Sequence, residues 1–246
     1  MGGLLVMGLM WCPGVSAMIT RLVYHRSLRG LGWKLGRAKW LLLAYLLPVA
    51  YAVVPYVITW MSGLGEFSTA NVPANQSLPG WIITNLTVLF LLGSVPSALG
   101  EEIGWRGFLV PQLFKQMSLT KTALISGGIW ALWHAPLILF GDYGSGTPGL
   151  YALASFVILV ISISFPFAWL RIKSGSLWTG VVLHASHNLI IQAILDPLTQ
   201  DTGITPYIVT EFGIGVAAAA VITAWVFWRM WKGEAVRWKS IPAQQV

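Results

Sequence analysis

The chain of 246 residues is 56% apolar and only 9% charged, against roughly 25% charged residues in soluble domains, and its mean hydropathy is +0.72. So few charges cannot cover a water-exposed surface of this size, and lipid is expected as the solvent for most of the chain. The net charge of +7 is spread over several connectors and forms no single stripe, which argues against nucleic acid and for anionic lipid, while the lone Cys12 rules out an intramolecular disulfide.

Seven hydrophobic runs follow in order: Leu4–Thr20, Trp40–Trp60, Trp81–Gly100, Thr122–Phe140, Leu150–Leu170, Leu177–Leu195 and Tyr207–Trp231. Each is near the ~20 residues that cross ~30 Å of hydrocarbon. The first is short and interrupted by Pro13 and Gly14, and no Lys or Arg precedes it, so it does not read as a signal peptide. The 14 tryptophans gather near run ends, as in an interfacial aromatic belt.

The connectors test this division. The first carries Arg21, Arg26, Arg29, Lys34, Arg37 and Lys39, and the second only Glu66. Arg106, Lys115 and Lys121 fall in the third, Asp142 in the fourth, and Arg171 and Lys173 in the fifth. Asp196 and Asp201 lie in the sixth, with Glu211 just beyond, and Arg229, Lys232, Arg237 and Lys239 close the chain. All 15 basic residues therefore fall on one side of a seven-span arrangement, and five of the eight acids on the other. The positive-inside rule makes the basic side cytoplasmic and puts the amino terminus outside and the carboxyl terminus in the cytoplasm. The expected fold is all-α: a polytopic transmembrane helical bundle forming one membrane-embedded domain over residues 1–246.

An ionisable group in hydrocarbon costs several kcal/mol unless paired or wet, so the polar residues within or beside the runs are the candidates for function. These are Glu101, Glu102, Arg106, His134, His184, His187 and Asn188; His25 sits in the basic first connector. Glu102 and Arg106 are i, i+4 and can pair on a helix, whereas Glu101 points about 100° away. The plainer alternative is a charge cluster that merely ends a helix at the cytoplasmic side. His134 lies well inside the fourth run, with Gly127 and Gly128 placed for a close helix approach and Pro136 removing a backbone donor. His184 and Asn188 share a helical face, and His187 partly shares it. Interhelical hydrogen bonding is the plainer use of such residues. Three runs thus carry Glu, His and His/Asn, and antiparallel packing can bring them into one pocket in the cytoplasmic half of the bilayer. Counted by rise per residue, His134 stands ~20 Å above Lys121 and His184 only ~10 Å above Leu177, so tilt or a later helix start is needed to bring them level.

The ordered set Glu101-Glu102-x-x-x-Arg106, Trp130-x-x-x-His134 and His184-x-x-x-Asn188 resembles the CPBP intramembrane peptidases, the family of the CAAX prenyl endopeptidases and the bacterial Abi or bacteriocin-immunity proteins. Trp130 stands where that pattern usually has Phe. The resemblance covers about residues 97–190 and implies a peptidase core over about 81–195, in a multi-pass protein expected in a bacterial plasma membrane. It implies peptide-bond hydrolysis on membrane-associated or lipidated substrates. Two mechanisms are open. In one, Glu101 is the general base, His134 helps to place the water, and His184 and Asn188 stabilise the oxyanion. In the other, a Zn2+ held by Glu101, His134 and His184 activates the water. Glu102 and Arg106 are supporting residues in both. The competing classes are a non-enzymatic immunity or scaffold protein that retains the fold, and a proton-coupled transporter, which the lack of an internal repeat disfavours.

Overall fold

In a computed structural model, the backbone is described for residues 3–238 and the side chains for residues 7–232. Arg237 and Lys239, placed on the basic side by the sequence, lie outside the described side chains.

The described chain is almost entirely helical. Helix α1 spans Gly3–His25 and runs unbroken through Pro13, and α2 spans Ala38–Met61. Helix α3 runs over Leu78–Gln116, α4 over Leu119–Phe140 and α5 over Gly149–Ser174. Helix α6 occupies residues 178–195, α-helical to Asn188 and π-helical from Leu189 to Leu195. After a single helical turn at Thr205–Ile208, α7 spans Ile214–Trp238. The only described strands are β1, Glu66–Phe67, and β2, Thr199–Gln200, which pair antiparallel and clip two connectors together at the acid-bearing end.

Among the described residues five helices are long and apolar enough to cross a membrane: α2, α3, α4, α5 and α7. Large apolar side chains on their outer faces stand free of protein contact, such as Leu92 at 76% exposure and Leu132 at 72%, as expected of an integral membrane protein whose solvent is lipid.

The third run departs most from expectation. It does not end at Gly100; the helix continues through Glu101, Glu102 and Arg106 to Gln116, leaving a two-residue link to α4. Arg106 is therefore no connector residue but a buried one, 2% exposed. The helix need not stop, because these charges find partners inside the bundle rather than in water. Two π-helical stretches, Asn85–Ser94 and Ile103–Leu109, flank the carboxylates. The last run likewise begins later than expected, at Ile214 instead of Tyr207; residues 209–213 form a turn whose Glu211 faces inward.

Close approaches set the packing around the site. A Cβ on Gly100 would meet Met10 O at 2.8 Å, and one on Gly104 would meet Pro13 O at 2.7 Å, so α1 crosses directly over α3. A Cβ on Gly127 would lie 2.9 Å from Ile161 Cα, which seats α4 against α5 as its spacing implied; the equivalent position on Gly128 meets nothing within 4 Å. α5 is the central element, packed by α4 on one side and α7 on the other, while α6 lies between α2 and α3.

Candidate active site

The site starts from two adjacent carboxylates that diverge. Glu102 Oε1 accepts from Arg106 at 2.6 Å, one helical turn on, and from His184 Nδ1 of α6 at 3.0 Å. Its Oε2 is buried with no partner among the described residues. A Cβ on Gly180 would come within 2.6 Å of that oxygen, so α6 can approach only with glycine there. The Arg106 guanidinium lies between two rings, 4.2 Å from the centroid of Trp130 and 3.7 Å from that of Phe167. Cation, carboxylate and rings form one dry layer in which each charge is opposed.

Glu101 points elsewhere, as the 100° offset requires. Its Oε2 accepts from Trp105 Nε1 at 2.9 Å and from Trp130 Nε1 at 2.8 Å. Two indole donors hold this oxygen, and Oε1 is left facing His134 Nε2 across 3.9 Å. That separation is too long for a hydrogen bond and lets one water contact both atoms at the usual ~2.8 Å. His134 Nδ1 lies 3.1 Å from Trp130 O; a carbonyl only accepts, so Nδ1 carries the proton and Nε2 presents its lone pair to the cavity.

His184 is tied through Nδ1 to Glu102, and its ring packs edge-on against Trp130 with centroids 5.3 Å apart. Asn188, half-buried one turn on, lines the same cavity and has no side-chain partner among the described residues. The expected difference in level between His134 and His184 does not materialise: both flank the Trp130 ring, with centroids 6.3 Å and 5.3 Å away.

His187 goes to a second cluster. Its Nδ1 meets the Tyr51 hydroxyl at 2.6 Å and its Nε2 lies 3.2 Å from Glu211 Oε1. Glu211 also accepts from Tyr143 at 2.6 Å and from Gln192 at 2.6 Å. The sequence reading left Glu211, Tyr143, Tyr51 and Gln192 aside. Glu211 looked like a surface acid of the outer connector, and the cluster around it draws Tyr51 from α2, Tyr143 from the fourth connector and both His187 and Gln192 from α6. The indoles of Trp105 and Trp130 were missed as carboxylate donors too. The one signal was Trp130 itself, where the resembling family has Phe, since only Trp brings an N–H to that position.

A cavity of about 870 Å³ joins these groups. Glu101, His134, His184 and Asn188 line its inner end, and Asp142 and Tyr143 its far end in the acid-bearing connector. Toward the basic side, beneath these residues, lies a buried floor of Arg106, Arg171, Leu31 and Leu177. Arg171 Nε donates to Arg106 O at 2.7 Å, which locks this floor. The site was expected to face the basic side; the cavity extends instead toward the acid-bearing end, because guanidinium and ring layers fill the other.

The zinc alternative can be tested against the donors. A zinc ion needs three or four ligands at about 2.0–2.2 Å. Glu101 Oε2 is held by indoles, His134 Nδ1 by Trp130 O and His184 Nδ1 by Glu102, so Glu101 Oε1, His134 Nε2 and His184 Nε2 are the atoms left to ligate. Among the described residues no three His, Cys, Asp or Glu side chains gather closely enough to hold a metal ion. Glu101, His134 and His184 as arranged do not fit that ion.

Residues 83–190 match the family model described as Type II CAAX prenyl endopeptidase Rce1-like. The chain is 28% identical over 182 residues to a curated protein named CAAX prenyl protease 2 of Methanococcus maripaludis, a match covering 72% of this chain and 64% of that protein. The chain thus spans less than two thirds of the length of the relative it matches.

Proposed function

We propose that the chain, whose residues 83–190 match a Type II CAAX prenyl endopeptidase Rce1-like model, belongs to the CPBP family and is an intramembrane endopeptidase that cleaves membrane-associated or lipidated peptides by a glutamate-dependent hydrolysis, with its peptidase core at residues 81–195. The observation that carries this reading is the gap of 3.9 Å between Glu101 Oε1 and His134 Nε2, two atoms converging on the space of one water.

A water there donates one hydrogen to each acceptor and turns a lone pair toward the cavity. As it attacks the scissile carbonyl, Glu101 takes its proton, and His134 holds the other hydrogen in place. The carbonyl oxygen becomes an oxyanion facing α6. Asn188 Nδ2 donates to it directly. His184 Nδ1 points at Glu102, so Nε2 can donate only when the ring is the imidazolium. Collapse of the tetrahedral intermediate breaks the C–N bond, and the proton held on Glu101 passes to the leaving amine. The Glu102–Arg106 pair touches no reacting atom; it orients His184. The donor geometry supports this route over a zinc-bound water, and none of these steps calls for a metal.

Leu132 and Phe140 line the cavity and are 72% and 88% exposed on the lipid side of α4. We take this wall as the lateral entry for a substrate held in the bilayer. The remaining features follow the charge pattern: seven spans in a prokaryotic plasma membrane, amino terminus outside, basic end in the cytoplasm against anionic lipid, and the cavity mouth toward the outer half.

The test is cleavage of a lipidated peptide by purified protein. Glu101→Ala and His134→Ala are expected to abolish turnover, and Asn188→Ala to lower kcat by ~10²–10³, the usual cost of a missing oxyanion donor. Near-wild-type proteolysis by Glu101→Ala would overturn the reading.

A further inference from the structure

The polar wall of the cavity continues past Asn188. His184, Asn188 and Gln192 follow at four-residue spacing in α6, and all three line the cavity. In an α-helix each such step overshoots a full turn by about 40°, so a third residue drifts off the face. Here the hydrogen bonding widens to the π pattern from Leu189 to Leu195, and the slower turn per residue offsets that drift. Gln192 stays on the cavity side and exposed, while its neighbours Ile190, Ile191 and Ile194 are buried. An exposed carboxamide has no packing use at this depth.

Its orientation is dictated from outside. Gln192 Nε2 donates to Glu211 Oε1 at 2.6 Å. Glu211 is pinned in turn by the Tyr143 hydroxyl at 2.6 Å on its other oxygen and by His187, itself braced by Tyr51. A carboxylate accepts and does not donate, so the amide nitrogen must face Glu211. Gln192 Oε1 is then the atom left for a ligand, and it has no partner among the described residues.

We propose that Gln192 is a substrate-binding residue whose Oε1 accepts a hydrogen bond from a backbone N–H of an extended peptide, about two residues from the scissile carbonyl. This rests on the peptidase reading and adds to it a second point of peptide recognition. Four α-helical residues rise about 6 Å and the π pattern from Leu189 shortens this, so Asn188 and Gln192 lie within the ~7 Å covered by two residues of extended chain. The chemistry matches as well: a peptide drawn out of water brings backbone donors that cost several kcal/mol each if left unmet. Glu211, with Tyr143 and His187, is a positioning residue that keeps the acceptor end of Gln192 turned into the cavity.

The experiment reads binding without turnover. Full-length protein carrying Glu101→Gln in nanodiscs is titrated with a farnesylated CAAX-type octapeptide and with a set of its analogues, each N-methylated at one backbone amide. Adding Gln192→Leu is expected to weaken binding of the parent peptide about 5–10-fold, the size of one net hydrogen bond. One N-methylation should cause a similar loss and should cost nothing further on Gln192→Leu. Glu211→Gln, which frees the carboxamide to turn over, should reproduce the loss, and Gln192→Met replaces Gln192→Leu if the latter does not fold. Unchanged affinity in the folded Gln192 variants overturns the assignment, as do N-methyl losses that persist undiminished there or absence of peptide binding to folded Glu101→Gln. Peptide binding without cleavage by the wild-type protein would bring down the peptidase reading alone, and cleavage by Glu101→Ala only its glutamate mechanism, since this titration does not depend on turnover.

Discussion

Trp130 of α4 donates its indole N–H to Glu101 of α3 at 2.8 Å, and the same ring stacks on the Arg106 guanidinium that pairs with Glu102. One side chain thus sets both members of the carboxylate pair, directing Glu101 Oε1 at His134 and fixing the layer that holds His184.

Trp130→Phe keeps the stacking surface and removes the donor. The carboxylate is then held by Trp105 alone and its second oxygen can swing away from His134. We expect kcat to fall by about 10-fold, the scale of one hydrogen bond to a charged group, with KM little changed. Steady-state kinetics on the variant checks this, and an unaltered kcat would show that Trp105 suffices.

Arg106 is 2% exposed and its charge is met inside the bundle. Arg106→Ala leaves the buried Glu102 carboxylate with His184 alone, and removing one partner of a buried ion pair typically costs about 3–5 kcal/mol. The expected outcome is a large drop in the unfolding temperature in detergent. Glu102→Gln in the same background should recover part of it, because it removes the buried charge.

At the acid-bearing end, outside the spanning helices, the Asp196 carboxyl is pushed up to about 7 by burial, with the Tyr56 hydroxyl opposing and the charge of Glu211 adding. A carboxyl whose folded value lies above its unfolded value of about 3.9 binds its proton more tightly in the fold. Its stabilising contribution is therefore complete below pH ~4 and is lost as pH rises through about 7. Asp196→Asn keeps the acceptor for Tyr56 and removes the titration. Its unfolding temperature should match the wild type at pH 4 and exceed it at pH 8; equal values at both would place Asp196 in water.

Stripping metal gives the sharpest contrast between mechanisms. With no close set of three donors among the described His, Cys, Asp and Glu residues, we expect purified protein to contain less than one metal per chain and to cleave peptide at an unchanged rate after dialysis against chelator. Loss of cleavage that added Zn2+ restores would reverse this expectation.

The resident chemistry was legible where it depends on spacing along one helix. Glu102 pairs with Arg106 at i, i+4 while Glu101 diverges, and His184 and Asn188 share a face, because helix geometry alone decides these relations. The apolar runs and the sparse charges likewise required lipid as solvent without reference to packing. Relations between helices were not legible in the same way. That Glu101 takes two indole donors, that α3 runs on to Gln116 through four charged residues, that Glu211 turns inward to Gln192 and Tyr143, and that the cavity opens toward the acid-bearing end all depend on which faces meet. A polar group in a lipid-embedded bundle must be satisfied by whatever lies across from it. The residue across from it is fixed by the crossing of helices far apart in sequence, and only the tertiary structure decides that.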